Sequence, residues 1–331
     1  MGALIDARGG PPGRRDRDKG SHNAPRPESK PPMRLLASIF HLLTAVLALG
    51  PAAARAAECG PQALGVARTI AIDGAEKLAL GLQTYPRTLA LADREVVLTF
   101  DDGPAHGATE RVLDALKAEC ARATFFLVGA HAAEAPALVR RIVAEGHNAG
   151  HHSYSHPART LRLMSETVAQ ADIEKGFEAV DAAAGFEAEG RTPHFPFFRF
   201  PGFADTPELV RWLEDRGVAV FGADLWASDW QEMTPRAELE LVMSRLEAAG
   251  KGIVLFHDPR PSTAAMMPEF LRELKARGFR LVHIVPGAGP TPISHAKPGW
   301  TSATEAIIAK TLGPKGLRSE PQEEGRGVKS Q

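Results

Sequence analysis

The 331-residue chain has little cysteine and no excess of charge of either sign. Its two cysteines, Cys59 and Cys120, permit at most one disulfide. A formal net charge of -1 removes the electrostatic case for nucleic acid or an anionic membrane as partner. A membrane-spanning helix needs an apolar run of ~20 residues; the run from Leu35 to Leu49 is shorter and contains His41. The rest is ordinary globular composition, 44% apolar and 24% charged. It suffices for one domain of roughly 200–250 residues or two smaller ones.

Residues 1–32 are rich in Gly, Pro, Arg, Asp and Ser and cannot build a core, so they are expected to be disordered, or translation starts at Met33. From Met33 the stretch "MRLLASIFHLLTAVLALGPAAARAAEC" carries a basic residue, Arg34, then the apolar run, then small residues ending in Ala54-Arg55-Ala56. That is the layout of a secretory signal peptide over 33–56, cleaved near Ala56. The expected mature protein is periplasmic or secreted and keeps no stable membrane anchor. Glu58 before Cys59 does not suit a lipoprotein site, and Arg14-Arg15 lies in the wrong context for a twin-arginine signal. Both cysteines fall in the exported part, where an oxidising compartment favours their pairing.

Residues 57–94 read as an irregular lead-in. From Glu95 to Pro286, strand-length apolar runs such as "EVVLTF", "ATFFLVG", "VAVFGAD" and "GIVLFHD" alternate with amphipathic helical stretches, several ending in glycine (Gly146, Gly185, Gly217, Gly250, Gly278). Continuous apolar strands between helices imply an α/β fold with a parallel sheet covered on its faces. Residues 287–331 turn to Gly, Pro, Ser, Lys and Glu and are expected to form a disordered tail.

Catalytic groups of parallel α/β folds collect where strands end. Here four strand ends carry such groups: Asp101 and Asp102; His151, His152 and His156; Asp224 and Asp229; His257 and Asp258. In "VVLTFDDGP" two adjacent carboxylates close an apolar run, a costly arrangement unless a positive object sits beside them, and a metal ion is the simplest one. In "GHHSYSHP" three histidines fall within six residues. Two imidazoles with one carboxylate leave coordination positions open, which suits a catalytic zinc or related divalent ion.

On these residues the chain resembles the polysaccharide deacetylases of carbohydrate esterase family four. "TFDDGP" matches the first motif of that family and "HHSYSHP" its His-[Ser/Thr]-x-x-His motif, with His151 where Asn is frequent. "FFRFPGF" resembles the third motif, Arg-x-Pro-aromatic-Gly, with Gly202 in place of the aromatic. "DLWASDW" resembles Asp-x-x-Asp-Trp with two extra residues, and "GIVLFHD" matches the fifth. The likeness runs from about Glu95 to Val285.

The resemblance implies a distorted (β/α) barrel with about seven parallel strands and a deacetylase catalytic domain over 95–286. It implies one divalent metal ion, most simply zinc, held by Asp102, His152 and His156. Asp101 would be the general base, oriented by Arg199; His257 the general acid, tuned by Asp229. The backbone N–H of Gly202 would complete an oxyanion hole, and Trp230 and Leu255 would line the acetyl pocket. The implied partner is a glycan containing N-acetylglucosamine, of chitooligosaccharide or peptidoglycan type. Two other readings use the same features: an esterase for O-acetyl groups such as those of xylan, or a small-amide hydrolase. A third is a non-catalytic carbohydrate-binding relative, which would have lost Asp101, a metal ligand or His257; none is lost.

Overall fold

A computed structural model describes residues 60–158, 160–187 and 192–313. The expected signal segment, Cys59 and residues 314–331 lie outside that range. Twelve strands are present among the described residues. They are β1 (Arg68–Ile72), β2 (Ala79–Leu80), β3 (Arg87–Leu89), β4 (Glu95–Asp101), β5 (Thr124–Leu127), β6 (Asn148–His151), β7 (Phe197–Phe198), β8 (Ala219–Phe221), β9 (Leu225–Trp226), β10 (Gly252–His257), β11 (Arg280–Pro286) and β12 (Ile293–His295). The helices are α1 (Ala108–Ala118), α2 (Gly129–Glu134), α3 (Pro136–Ala144), α4 (Glu166–Ala184), α5 (Pro207–Glu214), α6 (Pro235–Ala249), α7 (Pro261–Ala276) and α8 (Ala303–Leu312).

Ten of the strands form one sheet, and every pairing within it is parallel. Seven run in the order β9-β10-β4-β5-β6-β7-β8, with β2 beyond β8 and with β11 and β1 branching from the start of β4. Helices follow β4, β5, β6, β7, β9 and β10, giving the distorted (β/α) barrel. Parallel neighbours need a crossover, and the helices supply it while covering the sheet.

The strand period of two divides one run of sequence between two cores. In β4, Val96, Leu98 and Phe100 join the layer under the helices, where Phe100 stacks on Phe125 at 5.0 Å and lies 5.5 Å from Phe256. Val97 joins the other face with Ile70, Leu80, Phe126, Phe221 and Ile253. Thr99 and Asp101 continue the Val97 face, so the strand that ends in two carboxylates delivers Asp101 to the interior of the barrel.

Two stretches expected to lack regular structure contain it. Residues 57–94 supply β1, β2 and β3; β1 pairs with β11, β2 with β8, and Ile70, Ile72 and Leu80 are buried. The signal was weak because "RTIAI" is half exposed and β2 is two residues long. Of residues 287–331, β12 pairs antiparallel with β3, and α8 follows. Ser302 caps α8 by accepting from the Glu305 N–H at 3.1 Å, a Ser-x-x-Glu start that sequence reasoning passed over beneath the Gly/Pro-rich composition. Cys120 is disulfide-bonded. Among the described residues no helix is long and apolar enough to cross a membrane.

Candidate active site

Asp101 and His257 are register partners on the adjacent parallel strands β4 and β10, both at the C-terminal end. Next along the chain, Asp102 turns away from the strand with φ 73°, a left-handed conformation that Asp tolerates better than most residues. The turn separates the two carboxylates: Asp101 is buried and Asp102 half-buried. Gly103 follows because nothing larger fits; a Cβ there would lie 2.1 Å from an Asp258 carboxylate oxygen.

Asp102 meets two histidines from the end of β6. Its Oδ1 lies 3.4 Å from His152 Nε2 and 3.3 Å from His156 Nε2. One donor atom from each of the three residues falls within 4.8 Å of the others. His156 reaches the cluster through two left-handed residues, Ser153 (φ 62°) and His156 itself (φ 44°). Such strained backbone at two positions of one loop is maintained only where the surroundings over-determine it. Nδ1 of His152 donates to the Arg199 carbonyl at 2.7 Å, which leaves the Nε2 lone pair facing Asp102. Asp102 Oδ1 is buried without a hydrogen-bond partner. An orphaned carboxylate oxygen facing the Nε2 atoms of two imidazoles fits a divalent cation. Burial disfavours charge on Asp102, but the rings of His152, His257 and His156 outweigh it and hold the carboxyl well below its usual range. Burial and neighbouring His152 push His156 down, toward the neutral ring a metal ligand needs.

Arg199 is fully buried. Its guanidinium donates to Asp101 Oδ1 at 2.7 Å, Thr99 Oγ1 at 2.9 Å and the Gly222 carbonyl at 2.7 Å, and lies 4.3 Å over the Phe126 ring. These bonds fix the Asp101 carboxylate, whose Oδ2 faces the cluster 3.9 Å from His152 Nε2.

Opposite, His257 Nδ1 donates to Asp229 Oδ1 at 2.8 Å, and the His257 backbone N–H donates to Asp229 Oδ2 at 2.6 Å. Burial works against a charged His257. The Asp229 hydrogen bond and charge, with the carboxylates of Asp101 and Asp102, prevail and push it up to about 9. Thr263 Oγ1 lies 2.8 Å from both Asp229 Oδ2 and Glu238 Oε1. A hydroxyl has one proton to give. Asp229 already accepts twice from His257, so the Thr263 hydroxyl bridges two buried carboxyl groups and can donate to only one of them at a time. Burial raises the Glu238 carboxyl.

Gly202, Trp230 and Leu255 line one cavity of about 650 Å³ together with Asp101, Asp102 and His257. The Trp230 ring lies 6.0 Å from that of His257. Gly202 takes φ 59°, and the ring missing at its position is supplied one residue later: Phe203 lines the cavity and stacks on Trp226 at 6.3 Å.

Three singled-out residues stand elsewhere. Asp224 accepts from the backbone N–H groups of Leu82 and Ile253 and from Thr88, tying the β2–β3 turn to β10. His151 is buried against Phe177, 4.8 Å between rings. Asp258 sits behind Gly103, bonded to Thr109, and burial raises its carboxyl to about 7. Sequence reasoning missed His131, whose Nδ1 donates to the Asp102 carbonyl at 2.7 Å. The available signal was its position just past the end of β5, a strand end like the other four.

The sequence model of the polysaccharide deacetylase family matches residues 89–221. A peptidoglycan-N-acetylglucosamine deacetylase of Bacillus cereus is 32% identical over 206 residues, covering 60% of this chain and 72% of that protein. The peptidoglycan-N-acetylglucosamine deacetylase PgdA of Listeria monocytogenes is 32% identical over 195 residues, 59% of this chain. The chain spans 39% of the length of that relative. Among solved structures, the peptidoglycan deacetylase Bd3279 of Bdellovibrio bacteriovorus is similar with a TM-score of 0.58 and 28% identity, over 76% of this chain and 63% of that one.

Proposed function

The chain belongs to the polysaccharide deacetylase family, and from that premise we propose that it is a metal-dependent hydrolase removing N-acetyl groups from a glycan containing N-acetylglucosamine, of peptidoglycan type. One observation carries the reading. Asp101 and His257 stand side by side on β4 and β10, flanking the Asp102–His152–His156 cluster, each held by its own buried partner.

Asp102, His152 and His156 are the proposed ligands. A divalent ion on this donor set, most simply zinc, supplies positive charge that polarises an acetyl carbonyl and acidifies water. The chain's own residues do the rest. Asp101, pinned through Oδ1 by Arg199, takes the proton from the attacking water with Oδ2. The backbone N–H of Gly202 donates to the oxygen on which charge develops, a role that does not need the missing aromatic side chain. His257, whose charged form Asp229 favours and orients, gives the Nε2 proton to the departing nitrogen. The water oxygen bonds to the acetyl carbon, the C–N bond breaks, and acetate and a free amine result. An amine leaves poorly without that proton, so a charged imidazole suits an amide better than an ester.

The relatives' names point to cell-wall glycan as substrate, and the signal-like segment over 33–56 supports a periplasmic or secreted location. The deciding measurement is acetate release from N-acetylglucosamine oligomers, peptidoglycan and O-acetylated xylan, with and without chelator. Release from the N-acetylated substrates, abolished by chelator and restored by divalent metal, is expected. Release from xylan alone would establish the esterase reading, and none from any substrate a non-catalytic relative.

A further inference from the structure

Helix α8 lies outside the stretch that carries the family motifs, yet it reaches the reaction site. Thr304 and Ile307 line the same cavity as Asp101 and His257. The helix is firmly seated. Trp300 Nε1 donates to the Leu82 carbonyl at 2.8 Å, the Thr304 N–H donates to the Gln83 carbonyl at 3.1 Å, and Ile308 is buried. Glu305 pairs with Arg162, one oxygen accepting from Nη1 at 3.0 Å. The same Arg162 donates through Nε to the Asp205 carbonyl at 2.6 Å. Arg162 is 4% exposed at its side chain, so this clamp works in a low-dielectric setting. It ties α8 to the segment just after Gly202 and Phe203.

Against that fixed frame, Ile307 is 50% exposed and Trp230 across the cavity 42%. A seated helix that leaves a large aliphatic side chain open on the same cavity as the exposed Trp230 offers an apolar wall. The C–H faces of a sugar ring pack on such surfaces. A cavity of about 650 Å³ also exceeds what an acetyl group needs and falls in the range that takes a drug-sized ligand.

We propose that α8 forms the wall of a second sugar subsite, with Ile307 packing on the ring next to the one that loses its acetyl group and the Arg162–Glu305 pair holding that wall in place. The subsite makes the enzyme a reader of chain length. This rests on the deacetylase reading for the identity of the ligand. Ile307 is already half exposed, so its variants should fold, as a circular dichroism melt would verify.

The test measures binding of an N-acetylglucosamine tetramer and of the monosaccharide by ligand-observed NMR, with acetate release followed in parallel. In Ile307→Asp the tetramer-to-monosaccharide affinity ratio should fall about tenfold, the scale of one lost apolar side-chain contact. Ile307→Val, which loses one methylene, should lower the ratio by about fourfold at most. A ratio unchanged in Ile307→Asp, or a wild type that does not bind the tetramer, overturns the subsite. Normal acetate release with an unchanged ratio rejects the subsite and leaves the deacetylase reading standing. A lowered ratio with no acetate release by the wild type does the reverse.

Discussion

Asp101 and Asp102 share a peptide bond and almost nothing else. The first continues the inner face of β4 and is locked by Arg199; the second leaves the strand at φ 73° and faces two imidazoles. Their isosteric variants should therefore fail differently. Asp102→Asn removes the only anionic member of a three-residue donor set and should strip the metal under mild dialysis. Asp101→Asn should keep metal content near that of the wild type while turnover falls ~10²–10⁴-fold, the usual contribution of a general base. Elemental analysis of both purified variants beside acetate-release rates checks this. Metal loss in Asp101→Asn with retention in Asp102→Asn would reverse the roles.

At the scale of elements, the parts that hold the barrel's first strand respond to acid. Arg68 on β1 donates to Glu95 at the start of β4 through Nε at 2.8 Å and Nη2 at 2.6 Å. That hydrogen bond outweighs desolvation and, with the Ala92 N–H and the charges of Arg68 and Arg280, lowers the Glu95 carboxyl to about 2. A carboxyl depressed on folding stabilises the native state fully above its unfolded value, and that stability is lost as pH falls through the folded value. Unfolding midpoints in urea should thus decline between about pH 4.5 and pH 2, and Glu95→Gln should flatten that part of the curve. The effect is small because Arg68 is 39% exposed at its side chain and solvent screens the pair. An equally steep decline in Glu95→Gln would assign the acid sensitivity to other groups.

For the molecule as a whole, the proposed metal joins β4 to the loop after β6, two regions that otherwise meet through the parallel ladder of β5. A ligand that binds only the folded chain stabilises it by ~2.7 kcal/mol at a hundred times its dissociation constant. For a domain of this size that corresponds to a melting shift of roughly 5–10 °C. Chelator should lower the calorimetric midpoint by that order, and zinc should restore it. The Asp102→Asn variant should melt at the chelated value with or without zinc. A wild-type midpoint indifferent to both treatments would argue against a metal shared by these elements.

Much of this was legible in sequence because the chemistry is concentrated at strand ends. An apolar run stops on "FDDGP", another on "FHD", and three histidines crowd one short loop, so the α/β class and the candidate groups were legible from the residues, while the proposed ligand set and acid–base pair came from the resemblance to the deacetylase family. What lay outside local sequence was whatever depends on distant chain segments meeting. That Asp101 and His257 are register partners follows from β10 lying beside β4, although 156 positions separate the two residues (257 minus 101). Asp224 looked like a site residue by spacing but is drawn to backbone N–H groups of the β2–β3 turn, which no local pattern announces. Helix α8 was hidden by the Gly- and Pro-rich composition around it. Its place beside the site depends on contacts with distant segments, among them a buried arginine, Arg162, reaching across 143 positions to Glu305. Residue type and spacing dictate what chemistry a chain can perform; which groups face one another, and what walls the groove, is settled only when buried charges and strand edges find their partners.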